Sequence, residues 1–243
     1  MSSVQAWALP GLPEVHPGDD LAALLRDGAY EPGDVLVIAH KIVSKSEGAL
    51  RALDAVTISD RARALAGEHD KDPRHVQVIL DESAEVLRAQ RGVLICRTHH
   101  GFVCANAGVD TSNAPPDGAL VILPRDPDAS ARRLRAALPN RPAVVIADSF
   151  GRAWRHGQCD VAIGLAGLAA LDDWRGRRDS RGLELRATAI AIADEAAAAA
   201  DLVRDKASRQ PAVVVRGLAR HVTEDDGPGA AALIRPVDED LFL

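Results

Sequence analysis

The run Val35-Leu36-Val37-Ile38-Ala39 is apolar at every position and follows the turn Pro32-Gly33-Asp34. A strand with one wet face would alternate, so this one reads as a strand covered on both faces. Pro142-Ala143-Val144-Val145-Ile146-Ala147 and Pro211 to Arg216 read as further strands. Such a chain must build a sheet with helices to cover it. The capping residues supply them. Asp19 caps a short helix over Leu21 to Arg26, and Ser59 or Asp60 caps one through Ala66. Asp72-Pro73 opens another with apolar positions Val76, Ile79, Val86 and Leu87. Asp126-Pro127-Asp128 opens a helix to about Leu138, and a last helix covers Asp194 to Val203.

Gly92 to Thr98, the turn His99-His100-Gly101, and Phe102 to Ala105 read as a β-hairpin, with further strands at Ala119 to Leu123 and Leu185 to Ile192. Hairpins and strand-helix units are mixed. The expectation is therefore an α+β fold with mixed, largely antiparallel sheets and flanking helices. There is no proline- or serine-rich linker and no repeat period. Residues 1–243 should form one domain, or two intimately packed subdomains that share a core.

Composition excludes several functions. With 243 residues, 47% of them hydrophobic, the chain buries a full core. Its net charge is −6 and no lysine or arginine block occurs, so the footprint of a nucleic-acid partner is missing. Cys96, Cys104 and Cys159 are odd in number and lack C-x-x-C spacing, which disfavours a disulfide framework and suits a reducing cytoplasm. No apolar stretch reaches membrane-spanning length without charges, and Met1 to Pro10 lacks the pattern of a leader.

Two polar islands break the apolar pattern: Gly101 to Asn113, and Asp148-Ser149-Phe150-Gly151-Arg152-Ala153-Trp154-Arg155-His156-Gly157-Gln158. Each places a carboxylate beside hydroxyl, amide or glycine residues after an apolar run. Asp110 and Asp148 are the best pair of acids for a hard divalent cation, magnesium or manganese, with Ser149 adding a neutral oxygen. The bland alternative is that Asp110 makes an Asx-turn and Asp148 caps a helix. Arg152, Arg155 and His156 follow as a clamp for transferring phosphates or acidic substrate, or equally as a solvated turn. Lys41 and Lys45, with Ser44 between them, leave the first strand where phosphates could be held. There is no G-x-x-x-x-G-K-[ST] loop, no G-x-G-x-x-G and no G-x-S-x-G elbow. His99-His100 lacks spaced zinc partners and reads as hairpin.

Gly11-Leu12-Pro13-Glu14-Val15, Val37 to Gly48, both islands, Ala191 to Glu195, and Leu233-Ile234-Arg235-Pro236 to Phe242 occur in an order that resembles the coenzyme F420 gamma-glutamyl ligase family. The resemblance implies a GTP-dependent ligase that joins L-glutamate, through gamma-linked amide bonds, to the lactyl-phosphate tail of a deazaflavin coenzyme F420 precursor. GTP would phosphorylate the acceptor carboxylate, the glutamate amine would attack the acyl phosphate, and GDP and phosphate would leave. It further implies that Asp110, Asp148 and Ser149 hold divalent metals, two in number, and that Leu12, Pro13, Glu14, Val15, His40, Lys45 and Asn113 contact GTP. Potassium as a monovalent cation and a homodimer are also implied. The chain departs from the family pattern at Ser149 and Cys159, where threonine is usual, at His40, where serine or glutamine is usual, and at Lys206, where an acid commonly helps the second metal. A non-catalytic GTP-binding module, or a ligase for another phosphorylated carboxylate, are the alternatives.

Overall fold

The computed structural model describes residues 3–112, 118–204 and 208–240. The chain opens with strand β1 (Gln5–Ala8) and helix α1 (Leu21–Leu25). Asp20, one residue later than expected, is the cap and accepts from Ala23 N at 3.0 Å, while Asp19 accepts from His16 N. Strand β2 (Val35–Ala39) runs directly into helix α2 (His40–Ser46). Strand β3 (Leu50–Arg51) precedes helices α3 (Asp60–His69) and α4 (Pro73–Asp81), capped by Ser59 and Asp72 as expected. Strands β4 (Ser83–Gln90), β5 (Val93–Thr98), β6 (Val103–Ala105) and β7 (Leu120–Val121) follow. Helix α5 (Pro127–Ala137) leads to the long strands β8 (Ala143–Arg152) and β9 (Arg155–Ala166). The remainder is β10 (Asp172–Asp173), β11 (Ala189–Ile190), helix α6 (Ile192–Asp201) and β12 (Ala212–Arg216).

The central sheet has the order β1-β12-β2-β8-β9, antiparallel throughout except for the parallel pair β2 and β8. Its apolar runs are continuous because alternate residues serve two cores. Leu36, Ile38, Val144, Ile146 and Val214 pack with Leu21, Leu25, Val43 and Leu134 from α1, α2 and α5. Val35, Val37, Val145, Val213 and Val215 pack on the other face against Ala193, Ala196, Ala197 and Ala200 of α6. The alanine run is thus the close-packing face of a helix. Each fully buried valine contributes about 1.5–3 kcal/mol on this arrangement. A third core joins α3 and α4 to the sheet β4-β5-β6 through Ala62, Val76, Ile79, Leu94 and Cys96. The α+β class with largely antiparallel sheets is what the structure shows.

Several local expectations shift. Val86 and Leu87 lie in β4, because the helix stops at Asp81 and the following segment pairs with β5. The strand expected over Leu185 to Ile192 shrinks to Ala189–Ile190, its partner being only Asp172–Asp173. Ala119 to Leu123 is buried throughout, yet only Leu120–Val121 is paired as strand. The strand through Ala147 continues to Arg152, since β9 supplies backbone partners from Val161 opposite Asp148 to Arg155 opposite Arg152. Gly164 allows this sheet to meet α5: a Cβ there would lie 2.5 Å from Pro127 O.

Candidate functional site

The parallel register sets Ala39 opposite Ala147, so both chains leave that pairing at the same level. One continues as α2 and the other as the outer half of β8. His40 and Asp148 therefore face each other, with His40 Nε2 3.3 Å from Asp148 Oδ1, although the alignment of a hydrogen bond is lacking. His40 is 2% exposed, and its Nδ1 lies 3.2 Å from Ser44 Oγ. The next residue of α2 reaches the first island: Lys41 Nζ lies 2.6 Å from Asp110 Oδ2 and donates to Ser112 Oγ. One turn further on, the buried Lys45 ammonium donates to Glu14. Leu12 packs on the core beside it and Val15 is buried, while Pro13 and Glu14 are exposed. One seven-residue helix thus binds three distant segments into a single cluster.

Asp110 is anchored from both sides. Its Oδ1 accepts from Ser112 N at 2.7 Å, the Asx-turn that sequence allowed, and the bridge Asp110 to Val121 holds the loop to β7. Burial works to raise its pKa, but the Lys41 ammonium and the Ser112 donors outweigh it and keep the carboxyl below its ordinary value. Asp148 caps no helix: it sits within β8 and accepts from Ser149 N at 2.8 Å. Cys104 lies nearby. Burial first, and the Asp148 charge second, push its thiol up to about 12, so it stays protonated and is no nucleophile at neutral pH.

Successive side chains leave a strand on opposite faces. Asp148 therefore shares the α2 face with Ile146 and Phe150, whereas Ser149 points to the α6 face. There its hydroxyl donates to Asp160 Oδ1 at 2.6 Å, and Asp160 Oδ2 pairs with Arg204. The expected trio of metal ligands is thus divided, with Asp110 and Asp148 near α2 and Ser149 behind the sheet. Arg152, Arg155 and His156 lie further out, all exposed. Arg152 donates to His156 O at 2.6 Å across the tip, beside Trp154, which is 78% exposed and has φ of 57°. Arg152 is four residues beyond Asp148, about 13 Å along a strand. Asn113 and Lys206 lie outside the described residues.

A sequence profile described as F420-0:Gamma-glutamyl ligase matches residues 11–217. That span includes every segment gathered around α2. The chain belongs to the F420-0:gamma-glutamyl ligase family. It is similar to the coenzyme F420:L-glutamate ligase of Methanopyrus kandleri, 47% identical over 236 residues, covering 94% of this chain and 93% of the relative. It is also similar to the proteins of the same name from Methanothermobacter thermautotrophicus, 44% identical with 96% of each chain covered, and Natronomonas pharaonis, 44% identical with 98% and 94% covered.

In this chain two carboxylates, Asp110 and Asp148, reach the start of α2, and carboxylate oxygens are of the kind that suit a hard divalent cation. Among the described residues no group of three or more His, Cys, Asp or Glu side chains converges. Water and phosphate oxygens would have to complete such a shell, which is how magnesium is usually held. Lys41 and Lys45 put two ammonium groups on the same helix, paired with Asp110 and Glu14. Two members of the arrangement, Asp160 and Arg204, are missed by sequence reasoning. Counting outward from the Arg152 to Arg155 pair puts Gln158 opposite Ser149, but a bulge between Gly151 and Arg152 moves the register by two and brings Asp160 there. No helix among the described residues is long and apolar enough to cross a membrane.

Proposed function

We propose that the protein is a GTP-dependent carboxylate-amine ligase, adding L-glutamate through gamma-linked amide bonds to the deazaflavin coenzyme F420 precursor in coenzyme F420 biosynthesis. The observation that carries this reading is the cluster on α2, where His40, Lys41 and Lys45 reach Asp148, Asp110 and Glu14 in a chain of this family. In this reading Lys41 and Lys45 offset the charge of GTP phosphates, with Leu12 to Val15, His40 and Asn113 around the nucleotide. Asp110 and Asp148, with Ser149, would hold divalent magnesium or manganese, two ions in all, and potassium would assist. A bound divalent ion supplies charge neutralisation of the transferring phosphoryl group. The acceptor carboxylate oxygen takes the γ-phosphoryl group and GDP leaves; the glutamate nitrogen then attacks the acyl carbon, loses a proton, and phosphate leaves. No side chain acts as nucleophile, in keeping with thiols that burial holds protonated. Arg152 and Arg155 clamp acidic substrate.

The assignment includes a homodimer, to which exposed Trp154 at the hairpin tip offers an apolar contact, and a cytoplasmic site of action without nucleic-acid or membrane partners. The test uses purified protein with deazaflavin acceptor, GTP, L-glutamate, manganese and potassium. Mass spectrometry should find glutamyl additions and chromatography should find GDP. Turnover only with a different phosphorylated carboxylate would redirect the assignment, and GTP binding without any product would make the protein a non-catalytic module.

A further inference from the structure

We infer that His40 is a nitrogen ligand of a divalent transition-metal ion that it holds jointly with Asp148. This rests on the metal-dependent reading above, which set His40 only beside the nucleotide. The ring stands at the first position of α2 and is 2% exposed, yet its Nε2 has no hydrogen-bond partner among the described residues. Proteins rarely leave a buried polar atom unsatisfied, and each such atom calls for an explanation.

The other ring nitrogen supplies part of it. Ser44, one turn further along the same helix face and fully buried, sets its Oγ 3.2 Å from His40 Nδ1. With the ring proton on Nδ1 and donated to that hydroxyl, Nε2 keeps its lone pair, 3.3 Å from Asp148 Oδ1. A metal-bound histidine usually donates its second nitrogen to a supporting group in this way, which fixes both tautomer and ring orientation. The relation of Nε2 to Asp148 supplies the rest. Two ligands of one ion point at the ion rather than at each other, and here the two atoms are close without the alignment of a hydrogen bond. Donors about 2.1 Å from a shared ion stand about 3.0 Å apart at an octahedral right angle and about 3.4 Å apart at the tetrahedral angle, which brackets the spacing of this pair. The Asp148 side chain is 16% exposed, so the pair is reached from its side. Two protein donors leave the remaining positions to water and phosphate oxygens. Magnesium takes oxygen, whereas imidazole suits first-row transition ions, so the nitrogen tilts the site away from magnesium.

Manganese alone, without nucleotide or acceptor, is the probe. The electron spin echo of the bound ion should be modulated by a directly coordinated nitrogen, and isotopically labelled histidine should change the modulation. In His40→Gln, which puts an amide in place of the ring, the histidine coupling should vanish. Manganese should then bind about 10-fold more weakly, while magnesium, measured by competition, shifts less than about threefold. Ser44→Ala keeps the ring but releases Nδ1; it should weaken manganese binding by about 10–100-fold with the coupling retained, and it carries the test if His40→Gln does not fold. A plain hydrogen bond from His40 to Asp148 would give bound manganese without nitrogen coupling. That result, coupling that survives in His40→Gln, equal losses for the two ions, wild-type affinity in Ser44→Ala, or a wild type that binds no manganese would each overturn the inference. A protein with the coupling and no glutamyl product would keep the ligand role of His40 and sink the ligase reading; an active ligase whose manganese shows no histidine coupling would do the reverse.

Discussion

The inner and outer halves of the second polar island are only a few residues apart, yet they live in different worlds. Asp148 and Ser149 are gripped from opposite faces of β8, by His40 on one side and Asp160 on the other. Arg152 to His156 run past the end of β2 and become an exposed tip. Both halves are equally polar in sequence. The difference is where neighbouring elements stop: beyond Ala147 the β2 side of β8 becomes α2, and charged groups there gain partners rather than water.

That contrast can be broken at its inner end first. Asp148→Ala should lower kcat by roughly 10²–10³-fold with folding intact by circular dichroism, since it removes a charge that neutralises the transferring phosphate. Turnover near wild type would refute the assignment of Asp148. Lys45→Met should raise the KM for GTP about 10- to 100-fold, the size of a charge-assisted contact of about 1.5–3 kcal/mol. At the outer end, Arg152→Ala and Arg155→Ala should shift unfolding by at most about 0.5 kcal/mol. Each should still lower kcat/KM for the acceptor about tenfold while the KM for GTP holds, which steady-state kinetics would separate; an unchanged acceptor constant would leave the tip as surface.

Smaller effects sharpen the picture. Cys104→Ser places a hydroxyl in a buried hairpin position and should cost about 1 kcal/mol in a denaturant titration, with activity unchanged. Lys41→Met should cost less than about 1 kcal/mol, since Asp110 is partly solvated. Its sign follows from the lowered Asp110 pKa: the pair's contribution is present above the ordinary carboxylate value and is lost as pH falls through the folded value. The gap in thermal midpoint between wild type and Lys41→Met should therefore close on acidification.

Much of this was legible from pattern. Val35 to Ala39 announces a doubly covered strand, Asp72-Pro73 a helix start, and Lys45 with Glu14 belongs to ordered motifs shared with the family. Capping and apolar periodicity are local, so a chain without neighbours still displays them. The outer half of β8 was not legible, because Asp148-Ser149-Phe150-Gly151 has little strand preference and is extended by β9. Asp160 was hidden for a related reason: its partner is chosen by a bulge. The division of Asp148 from Ser149 onto two faces became visible only once both were known to be in a strand.

The parallel pairing of β2 with β8 has a consequence for how the molecule is made. Residues 40–142 form the crossover between them, and the β4-β5-β6 sheet and Asp110 belong to that excursion. Closing a loop of roughly a hundred residues delays such pairing relative to local contacts, so Asp110 meets α2 late, after hairpin and helices have formed. A cation captured between Asp110 and Asp148 would recognise only the finished chain, and raising its concentration should lift the unfolding midpoint by mass action. Occupancy would then be a chemical signal that synthesis and docking are complete.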